Sequence, residues 1–305
     1  MRKLQAAGLL SALTATLVLA ACGGGTDENP SLDTQTANAV GVTLAAQVAG
    51  APTSFTATGV SSGSVGGGFF GVRAQGLARW AAPSLAPNLV SRTCSPSVDD
   101  PTDTDGDGVP DDATFTFSQA NCTTGNFYIT GLINISDVTA AVGYDATFTN
   151  FLAYISSQNG DFFSIKVNGT HGVAGTPTTG ILSENLVTSV NGKSGTQTLS
   201  GSLSNNWTLQ FDAAQGQNIV MDDVLPDGDF TIQGNFTYNI NGQRFAFSVR
   251  TESALVFDST CVQANPFSSG ELRAHLGGPN GTVFVKVTYN GCGVDPTVVL
   301  IGQSA

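Results

Sequence analysis

The sequence predicts a mainly β protein: a long antiparallel meander forming a curved sheet, half-barrel or barrel, with two short N-terminal helices packed against it. Three observations carry that expectation. Charged residues make up only 11% of the chain while Gly numbers 37 and Phe 18, so turn-formers and β-formers outweigh the charged helix-formers. From Ala113 onward apolar residues alternate with Thr, Ser, Asn and Gln at period two. Asn-Gly steps, whose residues tolerate positive φ, recur at 159–160, 168–169, 191–192, 241–242, 280–281 and 290–291.

The N-terminus comes first. Arg2 and Lys3 precede an apolar run from Ala6 to Ala21, broken only by Ser11, Thr14 and Thr16. A charged start, a short apolar middle and a small-residue cleavage site make residues 1–21 a secretory signal peptide. The run is short for a membrane span and no charged stop-transfer flank follows it. Its end, Leu19-Ala20-Ala21-Cys22, resembles the lipobox of bacterial lipoproteins. That resemblance implies that Cys22 is diacylated on sulfur and becomes the first residue of the mature chain. With Gly23 rather than Asp after the cysteine, it also implies sorting to the outer membrane. Gly23-Gly24-Gly25 and the polar residues after them read as a lipidated flexible tether over 22–36. Buried acyl chains, at about 0.8 kcal/mol per methylene, would hold it there.

Residues 37–93 form a helical N-terminal segment. Ala37–Ala49 and Phe69–Ala82 are the helix candidates, a Gly/Ser loop from Gly59 to Gly68 separates them, and Pro83 and Pro87 stop the second. Residues 94–122 are an acidic loop flanked by cysteines, and the antiparallel β domain occupies 113–305. Besides Cys22 the chain has Cys94, Cys122, Cys261 and Cys292, an even number that implies disulfides in an exported protein, with three connectivities open. The local pairings Cys94–Cys122 and Cys261–Cys292 are favoured, each closing a loop of about thirty residues and contributing about 3.5 kcal/mol through chain entropy. No C-x-x-C spacing supports zinc.

Within the β domain, Phe230, Ile232, Phe236 and Tyr238 share one parity, and a two-residue turn at Asn241-Gly242 sets Tyr238 opposite Phe245 and Phe236 opposite Phe247. The same construction at Asn159-Gly160 pairs Tyr154 with Ile165 and Leu152 with Val167. At Asn280-Gly281 it pairs Leu276 with Val285, Ala274 with Val287 and Leu272 with Tyr289. A membrane-spanning barrel fits poorly, because two Trp and five Tyr are too few for two interfacial girdles.

The specific motif of the mature chain is Asp103-Thr-Asp-Gly-Asp-Gly-Val-Pro-Asp-Asp112. Carboxylates at loop positions 1, 3, 5 and 9 follow calcium-loop spacing. Asp103, Asp105, Asp107 and Asp111 would be ligands with the Val109 carbonyl, and Asp112 would stand in for the missing bidentate Glu, since Thr114 occupies that position. The motif resembles EF-hand loops and the Asp-rich repeats of thrombospondin type 3, which implies a structural Ca2+. Seven of the 23 acidic residues fall between Asp99 and Asp112, so without a cation their repulsion opposes a compact loop. Asp222–Asp229 is a looser acidic turn that reads as a hairpin loop.

Other chemical signals are weak. Gly59-Val60-Ser61-Ser62-Gly63 fits G-x-S-x-G but lies in a Gly/Ser loop rather than between a strand and a helix. Gly192-Lys193-Ser194 lacks the leading Gly of a phosphate loop. His275 is expected on the polar face opposite Lys286, and His171 is expected partly buried, facing Phe148.

The chain carries a net charge of −12, and removing Arg2 and Lys3 from its eleven basic residues leaves nine against 23 acids. That argues against nucleic acid and against docking on anionic headgroups. The expectation is a non-catalytic, lipid-anchored envelope lipoprotein, calcium-stabilised, acting as a binding or structural module. Its partners would be the membrane, through the anchor, and an envelope protein. The alternative is a carrier or chaperone for an apolar ligand, a lipid or lipoprotein, in a cavity under the curved sheet. A hydrolase using carboxylates or Ser61 ranks third.

Overall fold

The computed structural model describes residues 32–52, 55, 96–99, 102–107, 109–138, 142–220, 223–240, 242–261 and 265–302. They begin with helix α1 (Thr34–Ala49). Thirteen strands follow: β1 (Ser97–Asp99), β2 (Asp112–Phe117), β3 (Thr123–Thr124), β4 (Phe127–Asp137), β5 (Val142–Ser156), β6 (Phe162–Gly175), β7 (Thr179–Ser194), β8 (Gln197–Ala213), β9 (Gly228–Ile240), β10 (Gln243–Phe257), β11 (Phe267–Leu276), β12 (Phe284–Tyr289) and β13 (Thr297–Ile301). All lie in one antiparallel sheet in which strands follow chain order from β1 to β13, with β3 beside β4. The meander is as expected. It is an open sheet and not a closed barrel, ending at β1 and β13. The expected second helix, Phe69–Ala82, lies outside the described residues, as do the signal, Cys22, Ser61 and Cys94.

Period-two alternation builds the core. The inward rows of β4 to β12 carry Ile133, Phe151, Ile165, Leu182, Leu209, Ile232, Phe247, Leu272 and Val287, all buried. Phe55, beyond α1, packs edge-on against Phe230 with centroids 5.4 Å apart and tilts against Phe211 at 5.9 Å. Phe267 then links Phe230 to Tyr289, with centroid separations of 5.7 and 5.0 Å. Edge-to-face pairs of this kind fill the interior with rings.

Helix α1 starts three residues ahead of its expected beginning because Asp33 caps it, the carboxylate accepting from the Thr36 amide at 2.6 Å. It packs against β12 and β13. Val40, Leu44 and Val48 are fully buried, and Thr34, Asn38 and Val42 form a narrow exposed stripe four residues apart. Such a helix is held by burial rather than by an amphipathic face. Gly41 allows the close approach, since a Cβ there would lie 2.3 Å from Val298 Cγ1. No helix among the described residues is long and apolar enough to cross a membrane.

The Asn241-Gly242 hairpin has its expected register, Tyr238 opposite Phe245 and Phe236 opposite Phe247. Two other registers are corrected. At Asn159-Gly160 the loop spans Ser157 to Asp161, whose backbones bond at 2.8 Å, so Ala153 rather than Tyr154 faces Ile165. A bulge at Asn150, with φ 51°, shifts the parity of β5 and turns Tyr154 to the outer face, where it stacks on Tyr128 at 4.9 Å. At Asn280-Gly281 the connection runs from Gly277 to Val283, with Leu276 bonded to the Val283 carbonyl, so Ala274 faces Val285 and Leu272 faces Val287. Parity survives that slip of two residues. Cys261 and Cys292 form the expected disulfide, with Cα atoms 5.9 Å apart, tying the end of β10 to the turn after β12.

Candidate functional site

Asx-type hydrogen bonds shape the acidic loop before β2. Asp103 accepts from the Gly106 amide at 2.8 Å, Asp105 from Asp107 at 3.2 Å, and Asp107 from Val109 at 2.8 Å. Each bond folds the chain back on the preceding carboxylate. In consequence, oxygen atoms of Asp103, Asp105 and Asp107 lie within 4.8 Å of one another. Of the other residues expected at this site, Asp111 turns its carboxylate to Thr104, accepting from both amide and hydroxyl, which holds its pKa below the usual carboxylate value. Asp112 is exposed and opens β2 opposite Ser136, and Val109 is fully buried. Cys122 is buried and disulfide-bonded.

The structure adds a residue that spacing did not reveal. Antiparallel pairing of β2 with β4 carries Asp137 to the loop, where its amide donates to the Asp111 carbonyl at 3.2 Å. Its Oδ1 is buried and has no hydrogen-bond partner among the described residues. Burial first, then the charges of Asp107, Asp105 and Asp111, raise its pKa. The described part of the later acidic turn, from Asp223, lies at the end of the β8–β9 connection and the start of β9, and Asp227 accepts from the Ser259 amide at 2.7 Å.

A second polar cluster lies wholly inside the sheet. His171 of β6, Glu184 of β7, and Asn205 and Trp207 of β8 occupy inward positions, with relative exposures of 3% or less. Glu184 Oε1 accepts from His171 Nδ1 at 3.0 Å, while Oε2 accepts from Asn205 Nδ2 at 2.7 Å and Trp207 Nε1 at 2.6 Å. His171 Nε2 meets the Tyr144 hydroxyl at 3.0 Å. A proton on Nδ1, facing the carboxylate, leaves Nε2 to accept from tyrosine, so one neutral tautomer satisfies both bonds. This His–carboxylate pair has the elements of a proton relay, but it faces packed side chains instead of a cleft. The sequence signal for it is an acid in apolar phase, Leu182-x-Glu184-x-Leu186, and an amide in Leu203-x-Asn205-x-Trp207.

His171 faces Ala146 rather than Phe148, and is fully rather than partly buried. His275 is corrected from a surface residue to a buried one: the longer loop sets it opposite Phe284, with its Nδ1 at 2.9 Å from the Gly281 carbonyl and its ring 4.9 Å from that of Phe284.

Over the buried cluster, the outer face forms an open groove of about 630 Å³. Its walls include Ser183 and Asn185 of β7, Asn206 and Thr208 of β8, and Gln233 and Asn235 of β9. Thr170, Ser248, Arg250 and Pro279 close its ends. Glu184, Trp207 and Gly234 also border it; their side-chain positions face inward, so they meet it with backbone. Gly234, at φ 148°, lies opposite Trp207, and a Cβ there would stand 2.4 Å from the Trp207 Cα. Only glycine lets the two strands close at this point.

Compared with known proteins, the chain matches no family model, no curated protein and no solved structure.

Proposed function

We propose that this protein is a non-catalytic, lipid-anchored lipoprotein of the bacterial outer membrane whose open β-sheet serves as a rigid binding or structural module, steadied by Ca2+ in the 94–122 loop. The anchor rests on Leu19-Ala20-Ala21-Cys22. Calcium rests on the gathered carboxylates of Asp103, Asp105 and Asp107, with the unpartnered Asp137 oxygen near enough to be affected by their charge. An all-oxygen donor set of this kind suits a hard cation. Asp103, Asp105 and Asp107 would hold the ion, and its charge would relieve their repulsion.

The observation that carries the module reading is the filled interior. A carrier of apolar cargo needs room beneath the sheet, where Phe55, Phe211, Phe230, Phe257 and Phe267 pack against one another. The inward ionisable pair, His171 and Glu184, is held in hydrogen bonds away from solvent. Mass spectrometry of the N-terminal peptide from the native, membrane-associated protein tests the anchoring. The expected product starts at an acylated Cys22. A bare Cys22 thiol, or cleavage elsewhere, overturns the reading.

A further inference from the structure

We infer that the outer groove binds a glycan, a chain of hydroxyl-rich sugar units lying across β6 to β10. The inference deepens the module reading and rests on it for the source of the ligand, since envelope glycans are what a protein anchored at Cys22 meets. The register lines up the recognition groups. Thr170 faces Asn185, Asn185 faces Asn206, Asn206 faces Asn235, and Asn235 faces Ser248. One step along the same outer face, Ser183 faces Thr208, Thr208 faces Gln233, and Gln233 faces Arg250. Strands are spaced roughly 4.8 Å apart, close to the length of one pyranose unit, so a chain crossing them meets a fresh polar side chain at every strand.

The chemistry of the walls selects this ligand. Each amide both donates and accepts, matching a sugar hydroxyl, which does the same. Among the described residues the amides of Asn185, Asn206, Gln233 and Asn235 make no hydrogen bond within the protein. Among the described residues the groove has a single cationic side chain, Arg250, whose Nε donates to Glu252 at 2.7 Å, and this is too little for a polyphosphate. β6 to β10 are paired on both sides, so an extended peptide finds no strand edge to join. The floor is set in advance: Trp207 and Glu184 are bonded beneath it at 2.6 Å, and ligand binding need not order them.

Titration calorimetry on the full-length protein in detergent, with cellohexaose, chitohexaose and glucose as probes, tests the site. A hexasaccharide is expected to bind, and glucose far more weakly. Preference for chitohexaose identifies an amino-sugar chain, and preference for cellohexaose a plain polyol; either supports the site. Asn206→Leu and Asn235→Leu are each expected to weaken binding about tenfold, while Gln243→Leu, exposed on β10 beyond the groove, leaves it unchanged. Asn206→Asp, which keeps size and polarity, serves if the leucine variants misfold, and is expected to weaken binding with the melting temperature preserved. No heat with either hexasaccharide at millimolar concentration, or binding that survives these variants, overturns the site. A lipidated Cys22 with no glycan binding removes the site and leaves the module reading. Cleavage of a bound hexasaccharide removes the non-catalytic reading and leaves the site.

Discussion

Trp207 donates its indole N–H to Glu184 Oε2 at 2.6 Å across the β7–β8 pairing, in a layer of the sheet that neither side chain leaves. The bond closes a network in which both carboxylate oxygens are engaged, and removing one partner therefore strands a buried charge or donor. Glu184→Gln presents an NH2 group where a donor already points. It is expected to lower the unfolding free energy by about 3 kcal/mol. Trp207→Phe keeps the ring volume and loses one bond, so a smaller loss of about 1–2 kcal/mol is expected. Urea unfolding followed by circular dichroism checks the order of the two.

The contact between Trp207 and Gly234 gives a sharper steric test. Gly234→Ala places a methyl carbon 2.4 Å from the Asn206 carbonyl oxygen and from the Trp207 Cα, at a φ of 148°. A loss of about 3 kcal/mol is expected. Gly160, at φ 81° and with nothing within 4 Å of where a Cβ would stand, separates strain from crowding. Gly160→Ala is expected to cost about 1 kcal/mol. Paired melting curves read the difference.

Calcium should cancel the effect of one substitution. The Asp137 carboxyl is pushed up by burial and then by Asp107, Asp105 and Asp111, so the folded state favours its protonated form. A folded pKa above the unfolded value contributes stability that is full below the unfolded pKa, about 3.9, and is lost as pH rises through the folded one. With chelator at neutral pH, Asp137→Asn is expected to stabilise the protein. With calcium it is expected to lose that advantage, because the ion favours the charged carboxylate. Melting temperatures with and without chelator measure this, and proteolysis within 95–121 should be slower with calcium. Equal cleavage rates in both conditions would defeat the calcium reading.

The disulfide offers a control distant from the loop. Replacing Cys261 and Cys292 by serine is expected to cost about 3.5 kcal/mol, since the bridge closes a separation of 31 residues in the unfolded chain. Denaturation of the double variant, compared with wild type under oxidising conditions, gives the figure.

What is legible in the sequence depends on whether two local signals agree. At Asn241-Gly242 the turn type and the apolar phase give one register, which the strands adopt. At Asn159-Gly160 their agreement is false: the loop runs from Ser157 to Asp161 and slips the register by one, while the Asn150 bulge, an extra residue with no mark of its own, shifts the apolar phase upstream. Asn168-Gly169 and Asn191-Gly192 lie inside β6 and β7, where continued pairing overrides turn propensity. Asp103, Asp105 and Asp107 can be found by spacing because their geometry is local. Asp137 cannot, since the pairing of β2 with β4 is what brings it there. Glu184 is in plain view as an acid in apolar phase, yet its partners sit on other strands and only the register joins them.

The seat of α1 sets an order of assembly. Each strand from β4 to β13 pairs with the one just before it in the chain, so every hairpin can zip onto the last by closing a local loop, the longest running from Ala213 to Gly228. The helix is the exception: it precedes every strand of the sheet in the chain, yet docks on β12 and β13, which follow all the others. A nascent chain can therefore lay down most of its sheet while Val40, Leu44 and Val48 still lack their final seat. The sheet gains its helical cover only when α1 meets the strand pair β12–β13.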